Sequence, residues 1–82
     1  MKLNLGCGHD HKDGYINVDV SDLGNPDQVV DLEVLPWPWE DNAVDEILIK
    51  HTLEHLGQAT KLYLDIMCEF WRICQDGALI KI

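Results

Sequence analysis

The segment Lys2-Leu3-Asn4-Leu5-Gly6-Cys7-Gly8 contains the pattern that decides the fold. Polar and apolar residues alternate from Lys2 to Leu5, as they do in a β-strand that buries one face. The alternation stops at Gly6 and Gly8, because glycine adopts the backbone conformations of tight turns that other residues avoid. A short strand that runs directly into a glycine turn is typical of the first strand of a parallel α/β sheet.

Four further strands and one helix are predicted after the glycine turn. Alternation, or a short run rich in β-branched residues, predicts strands over Tyr15 to Val20, Gln28 to Leu32, Val44 to Lys50 and Ala78 to Ile82. Apolar residues recur every three or four positions from Thr60 to Gln75, which predicts a helix, and Gly77 suits the position after a helix end. The prolines of Leu35 to Trp39 predict a loop. No full helix is expected from His9 to Gly14, because a helical crossover needs about a dozen residues.

The charge balance disfavours several classes of partner. Six Lys and Arg against fifteen Asp and Glu give a formal net charge of −9 in 82 residues. Affinity for nucleic acid depends largely on Lys and Arg, and so does affinity for an anionic membrane surface. No apolar stretch approaches the roughly 20 residues of a membrane-spanning helix, and no signal-peptide run follows Lys2. These features, with three cysteines that we expect to be reduced, predict a cytoplasmic protein.

The second predicted strand ends in a carboxylate, Asp19. Ends of neighbouring parallel strands meet at one edge of a sheet, so we expect Asp19 to lie beside Gly6 and Gly8. Glycines allow a ligand to reach backbone N–H groups, and a carboxylate can accept hydrogen bonds from both hydroxyls of a ribose. The same residues also fit a simple glycine turn beside a surface aspartate, so this pattern alone leaves both interpretations open.

A longer series of motifs resembles the class I S-adenosylmethionine-dependent methyltransferases. The series is Leu3-Asn4-Leu5-Gly6-Cys7-Gly8, Gly14-Tyr15-Ile16-Asn17-Val18-Asp19, Asp31-Leu32, Leu35-Pro36-Trp37-Pro38, Asp45-Glu46-Ile47 and His51-Thr52-Leu53-Glu54-His55-Leu56. It is similar to the small methyltransferase-domain proteins with the pattern LNLGCG, INVD, LPFPD and LEHL. Their final RVLKPGG block is similar to Trp71 to Leu79, where Gln75-Asp76 replaces Lys-Pro. The series follows the family's order over nearly the whole chain.

The resemblance implies a Rossmann-like parallel sheet with strand order 3-2-1-4-5, short early crossovers and one main helix. It implies that residues 1–82 form a single, partial methyltransferase domain, truncated after about the fifth strand. The implied cofactor is S-adenosyl-L-methionine, and the implied cofactor-binding residues are Gly6, Cys7, Gly8, Asp19, Asp31 and Leu32. Asp19 would hold the ribose, while Asp31 and Leu32 would flank the adenine. A third glycine that is common in the family is replaced by His11.

His51 is the candidate catalytic base, because it follows the fourth strand, where such enzymes present residues to the methyl group or its acceptor. Glu54 and His55 are lesser candidates, and both also fit a structural role near the start of a helix. The methyl acceptor stays open among sugars, lipids, small acids and proteins.

Two other functions stay open. His51-x-x-Glu54-His55 matches the H-x-x-E-H pattern of zinc proteases, and Cys7, His9 and His11 are further possible metal ligands. A zinc hydrolase is disfavoured, because the pattern follows a strand directly and little chain remains to supply another ligand. The other alternative is a truncated, catalytically inactive chain, because complete class I methyltransferases have further strands.

Self-association is a further expectation. The strand from Ala78 to Ile82 would lie at an open edge of the sheet, and such edges invite pairing with another chain. We also expect aromatic surface that a monomer cannot bury easily, from Trp37, Trp39, Tyr63 and Trp71. These features predict a homo-oligomer.

Overall fold

The computed structural model describes residues 1–49 and 60–82. Its elements are β1 (Lys2–Leu5), β2 (Ile16–Asp19), β3 (Gln28–Val29), β4 (Val44–Ile49), α1 (Thr60–Ile73) and β5 (Cys74–Lys81). The strands form a five-stranded sheet of order β3-β2-β1-β4-β5, and every neighbouring pair is parallel. The predicted parallel α/β sheet is thereby confirmed, in the predicted strand order. This order brings the carboxyl ends of β1 and β2 side by side.

Element boundaries differ most from the prediction near the end of the chain. The helix α1 ends at Ile73 and β5 begins at Cys74, whereas the sequence predicted a helix to Gln75 and a strand from Ala78. The pairing of β4 with β5 is irregular, because Val44 pairs with Cys74 while Glu46 pairs with Leu79. Gly77 lies within this irregularity at φ +82°, so it serves a distorted strand rather than a helix end. The strands β2 and β3 are also shorter than predicted.

The two faces of the sheet carry different residues. Side chains on the face that packs against α1 form one apolar cluster with Ile66, Phe70 and Ile73 of the helix. The sheet residues of this cluster that are fully buried are Leu3, Leu5, Val18, Val44, Ile47 and Ile49. The opposite face carries mostly polar residues at the alternate positions, among them Asn4 paired with Asn17 and Lys2 paired with Glu46, with Leu48 as an apolar exception. The apolar core therefore lies on one side of the sheet.

A short connection, rather than a helix, lies against the polar face between β1 and β2. The Asn4 side chain donates to the carbonyl of Asp10 at 2.9 Å and to Asn17 Oδ1 at 2.9 Å. Asn17 Oδ1 also accepts from the backbone N–H of Lys12 at 2.8 Å. Both asparagines are buried. They supply hydrogen-bond partners to the irregular backbone of the connection, which, unlike a helix, does not pair its own N–H and C=O groups. The predicted absence of a helix from His9 to Gly14 agrees with the structure.

The proline loop before β4 is irregular, as predicted, and an ion pair attaches it to α1. Glu69 Oε1 accepts from the backbone N–H of Trp37 at 2.7 Å, and Glu69 Oε2 accepts from Arg72 Nε at 2.6 Å. Arg72 also donates to Asp41 at 2.8 Å and to the Trp37 carbonyl at 3.1 Å. The hydrogen bonds from Arg72 hold the pKa of the Glu69 carboxyl below its ordinary value.

The tryptophans of this loop are buried, which corrects the expectation that they form aromatic surface. Trp37 and Trp39 are 3% and 5% exposed. The Trp37 ring meets Phe70 edge to face at 5.0 Å between centroids, and its indole N–H donates to the Leu32 carbonyl at 2.9 Å. Local sequence did not indicate this burial, because the ring partner of Trp37 lies on a distant part of the chain. Trp71 is exposed as expected, at 86%.

The strand β5 lies at one edge of the sheet. Its apolar side chains Leu79 and Ile80 are exposed, and Ile82 beyond it is exposed as well. An unpaired strand edge with apolar side chains favours pairing with another chain. Homo-oligomer formation through this edge stays a prediction.

Candidate functional site

The glycine turn follows β1 directly. Gly6 and Gly8 have φ values of +69° and +52°, in the left-handed region that favours glycine. The backbone N–H of Cys7 donates to the Val18 carbonyl at 3.0 Å, so the contact with β2 continues into the turn. A Cβ atom on Gly8 would meet no atom within 4 Å, so the space beside this part of the backbone is open.

Asp19, the last residue of β2, contacts this turn. Its Oδ2 accepts from the backbone N–H of Gly8 at 3.2 Å, and its Oδ1 accepts from the N–H of Val20 at 2.8 Å. A carboxylate has about four lone-pair sites, so each oxygen retains capacity for another donor. The structure therefore brings the turn and Asp19 together, as the sequence predicted.

The side chain of Cys7 is buried beneath the turn, at 5% exposure. Burial raises the pKa of the thiol, and the negative charge of Asp19 raises it further. A raised pKa makes a buried thiol less reactive as a nucleophile. Cys7 therefore contributes its backbone and its volume to the turn.

Asp31 and Leu32 follow β3 but have different surroundings. Asp31 is exposed, and its Oδ1 accepts from the backbone N–H of Glu33 at 3.0 Å in a local turn. Leu32 is 6% exposed, and its side chain belongs to the apolar core. Of these two predicted adenine neighbours, Asp31 presents its side chain at the surface.

Asp27, which the sequence patterns did not single out, attaches the connection between β2 and β3 (residues 20–27) to the strands. Its Oδ2 accepts from the backbone N–H of Asn17 at 2.8 Å and from Asn17 Nδ2 at 3.0 Å. The Asp27 N–H donates to the Asn17 carbonyl at 2.7 Å. The hydrogen bonds from the backbone and side chain of Asn17 lower the pKa of Asp27. No local pattern identifies such a residue, because its partner lies ten positions earlier.

We expect acid to weaken this attachment. The pKa of Asp27 is lower in the folded chain than in the unfolded chain, so its bonds contribute stability above the unfolded-state value of about 3.9. That contribution is lost as the pH falls through the folded-state pKa. Asp27→Asn should therefore reduce the pH dependence of the free energy of unfolding in the acidic range, measured by urea unfolding. An unchanged pH dependence in the variant would contradict this assignment.

His51, Glu54 and His55, the candidate base and the zinc-pattern residues, lie outside the described residues. Within residues 1–49 and 60–82, no group of three or more His, Cys, Asp and Glu side chains could hold a metal ion. In those same two ranges, no helix has the length and apolar character needed to cross a membrane.

A separate cavity of about 540 Å³ lies between α1 and β5. Its lining includes the apolar residues Ile49, Met67, Phe70, Trp71, Ile80 and Ile82. This volume is within the range of small-molecule pockets, about 300 to 1,000 Å³. None of the predicted cofactor-binding residues lines this cavity. The glycine turn and the cavity are therefore separate features.

No protein-family model matches the chain, and no match was found among curated proteins or solved structures.

Proposed function

We propose that the chain binds S-adenosylmethionine at the glycine turn, as the cofactor-binding part of a Rossmann-like methyltransferase fold. The observation that carries this proposal is the hydrogen bond between Gly8 N–H and Asp19 Oδ2 at the carboxyl ends of β1 and β2. In parallel α/β sheets, ligands bind beyond the carboxyl ends of the strands. The ordered motifs, from the glycine turn to Asp31, support a nucleoside cofactor in particular.

The residues at this edge fit an adenosine ligand. The open space beside Gly8 allows a ligand to approach the backbone, and Asp19 has free acceptor capacity for ribose hydroxyls. Asp31 presents an exposed carboxylate that can accept from the exocyclic amine of adenine. The cofactor also carries a sulfonium cation, which suits a chain with a net charge of −9.

Each residue has a separate part in the proposed activity. When bound, S-adenosylmethionine supplies a methyl group activated by the positive charge on sulfur. Gly6 and Gly8, which lack side chains, would let the ligand approach the turn closely, and Asp19 would fix the ribose. His51 stays the predicted base for an acceptor that needs deprotonation.

We expect Asp19→Ala to weaken binding of S-adenosylhomocysteine, the stable demethylated product, by about 1 to 3 kcal/mol. The expected loss is that of hydrogen bonds to a charged acceptor. Calorimetric titration of both proteins measures the difference. Asp13→Ala, which removes an exposed carboxylate from the connection between β1 and β2, is the matched control and should retain wild-type affinity. Equal affinities of wild type and Asp19→Ala would remove Asp19 from the site.

The two alternative functions, a catalytically inactive chain and a zinc hydrolase, predict different results for the same purified protein. A catalytically inactive chain that has lost the site gives no heat with either the cofactor or its product. A zinc hydrolase retains about one zinc ion per chain after purification without chelators. No observation on the described residues favours the zinc site.

A further inference from the structure

We propose that Gly24 and His11 are positioning residues that hold the glycine turn in its ligand-binding conformation. This inference rests on the proposed function, because it concerns the same site. It assigns a function to the connection between β2 and β3 (residues 20–27), which contains none of the predicted cofactor-binding residues. Three observations support it.

The first observation is the close approach of Gly24 to Gly8. A Cβ atom on Gly24 would overlap the Gly8 carbonyl oxygen and would lie 2.6 Å from the Gly8 carbonyl carbon. Non-bonded atoms do not approach a Cβ atom this closely, so the connection can press against the turn only with glycine at this position. Gly24 contacts the carbonyl side of Gly8, whereas the side where a Gly8 Cβ would point is open. Gly24 therefore supports the turn without filling that open space.

The second observation is a hydrogen bond that holds Gly24 in place. His11 Nε2 lies 2.7 Å from the Gly24 carbonyl oxygen. At this distance the imidazole tautomer that carries its proton on Nε2 donates a hydrogen bond to the carbonyl. His11 occupies the position at which the sequence departs from the glycine pattern. His11, which replaces the third glycine of the family pattern, therefore contacts the connection that presses against the turn.

The third observation is that both ends of the connection are attached to β2. Val20 follows β2 directly, and Asp27 exchanges hydrogen bonds with Asn17 of that strand. Between them, the Asn25 N–H closes a turn on the Asp22 carbonyl at 3.0 Å. A connection tied at both ends holds Gly24 in position, and Gly24 in turn restrains Gly8. With Gly8 restrained, its N–H stays directed at Asp19.

The direct test is hydrogen exchange of the Gly8 amide, followed by NMR without any ligand. We expect His11→Phe, which removes the donor, to speed Gly8 exchange about two- to tenfold relative to the Leu5 and Val18 amides in the strands. Gly24→Ala should have at least this effect, because the added methyl group displaces the connection. His11→Gln, whose side-chain amide nitrogen can replace Nε2, should restore the slow exchange. Leu23→Ala, which alters an exposed side chain in the same connection, is the control and should change nothing.

Exchange at Gly8 that rises no more than exchange in the strands would overturn the positioning role. A second arm uses calorimetry with S-adenosylhomocysteine. We expect His11→Phe to weaken binding by about two- to tenfold and His11→Gln to restore it. Unchanged affinity in folded His11→Phe would also overturn the inference. If wild type binds no ligand while Gly8 exchange responds as expected, the proposed function fails and the structural support by Gly24 and His11 stands.

Discussion

We expect Trp37→Ala to lower the free energy of unfolding by about 3 to 5 kcal/mol, the usual cost of truncating a buried tryptophan. The substitution removes a nearly buried indole that contacts Phe70 and Trp39, and it leaves the Leu32 carbonyl without its donor. An 82-residue domain has a total stability of about 4 to 12 kcal/mol. The variant should therefore lose between about a quarter and all of this stability.

Urea unfolding followed by far-ultraviolet circular dichroism measures this loss. The matched control is Trp71→Ala, because Trp71 is the same residue type at 86% exposure. We expect a change within about 0.5 kcal/mol for Trp71→Ala in the monomer. Similar losses for the two variants would contradict the burial of Trp37.

We expect Glu69→Ala to lower the free energy of unfolding by about 3 kcal/mol. The Glu69 carboxylate lies between the Trp37 N–H and the Arg72 guanidinium, and its removal leaves the partly buried cation without this partner. Hydrogen bonds to charged groups contribute about 1.5 to 3 kcal/mol, and breaking a buried ion pair costs about 3 to 5 kcal/mol. The partial exposure of Arg72 places the expected loss near the lower end of that second range.

Asp65→Ala is the control for Glu69→Ala. Asp65 pairs with Lys61 one turn earlier on α1 at 3.1 Å, and both side chains are substantially exposed. Exposed helix pairs of this kind contribute about 0.3 to 0.5 kcal/mol. Equal losses for the two variants, measured by urea unfolding at neutral pH, would show that Glu69 does not attach the proline loop to α1.

Local patterns predicted much of the fold. Alternation identified β1 and β2, a short run of β-branched and apolar residues identified β4, apolar periodicity identified α1, and glycine identified the turn after β1. These signals are local, because a strand, a helix and a turn each restrict residue types over a few positions. The approach of Asp19 to the turn followed from the predicted parallel pairing of two short strands.

Contacts between distant segments were not predictable in the same way. The burial of Trp37 depends on Phe70 and Glu69, more than thirty positions away. The contact of Gly24 with Gly8 depends on how a loop folds back over a turn, which the composition of the loop does not specify. The early boundary between α1 and β5 depends on irregular pairing with β4. In each case the tertiary partner determines the structure.

The short connections on the polar face link the fold to the proposed site. Asn4 and Asn17 bind the connection between β1 and β2, and Asp27 attaches the connection between β2 and β3 to Asn17. Both connections lie beside the glycine turn. Their backbone N–H and C=O groups lack the internal hydrogen bonds of a helix, so these polar side chains supply the missing partners. Changes in these polar residues should therefore affect the site as well as stability.

Binding of S-adenosylmethionine at the edge formed by the glycine turn and Asp19 is tested most directly by NMR. Isotope-labelled chain is titrated with S-adenosylhomocysteine, and the amide chemical shifts are followed. We predict saturable shifts at Gly6, Gly8 and Asp19, with little change at Met67 and Ile80 in the separate cavity. Shifts confined to the cavity residues, or no saturable shifts at millimolar ligand, would contradict binding at this edge.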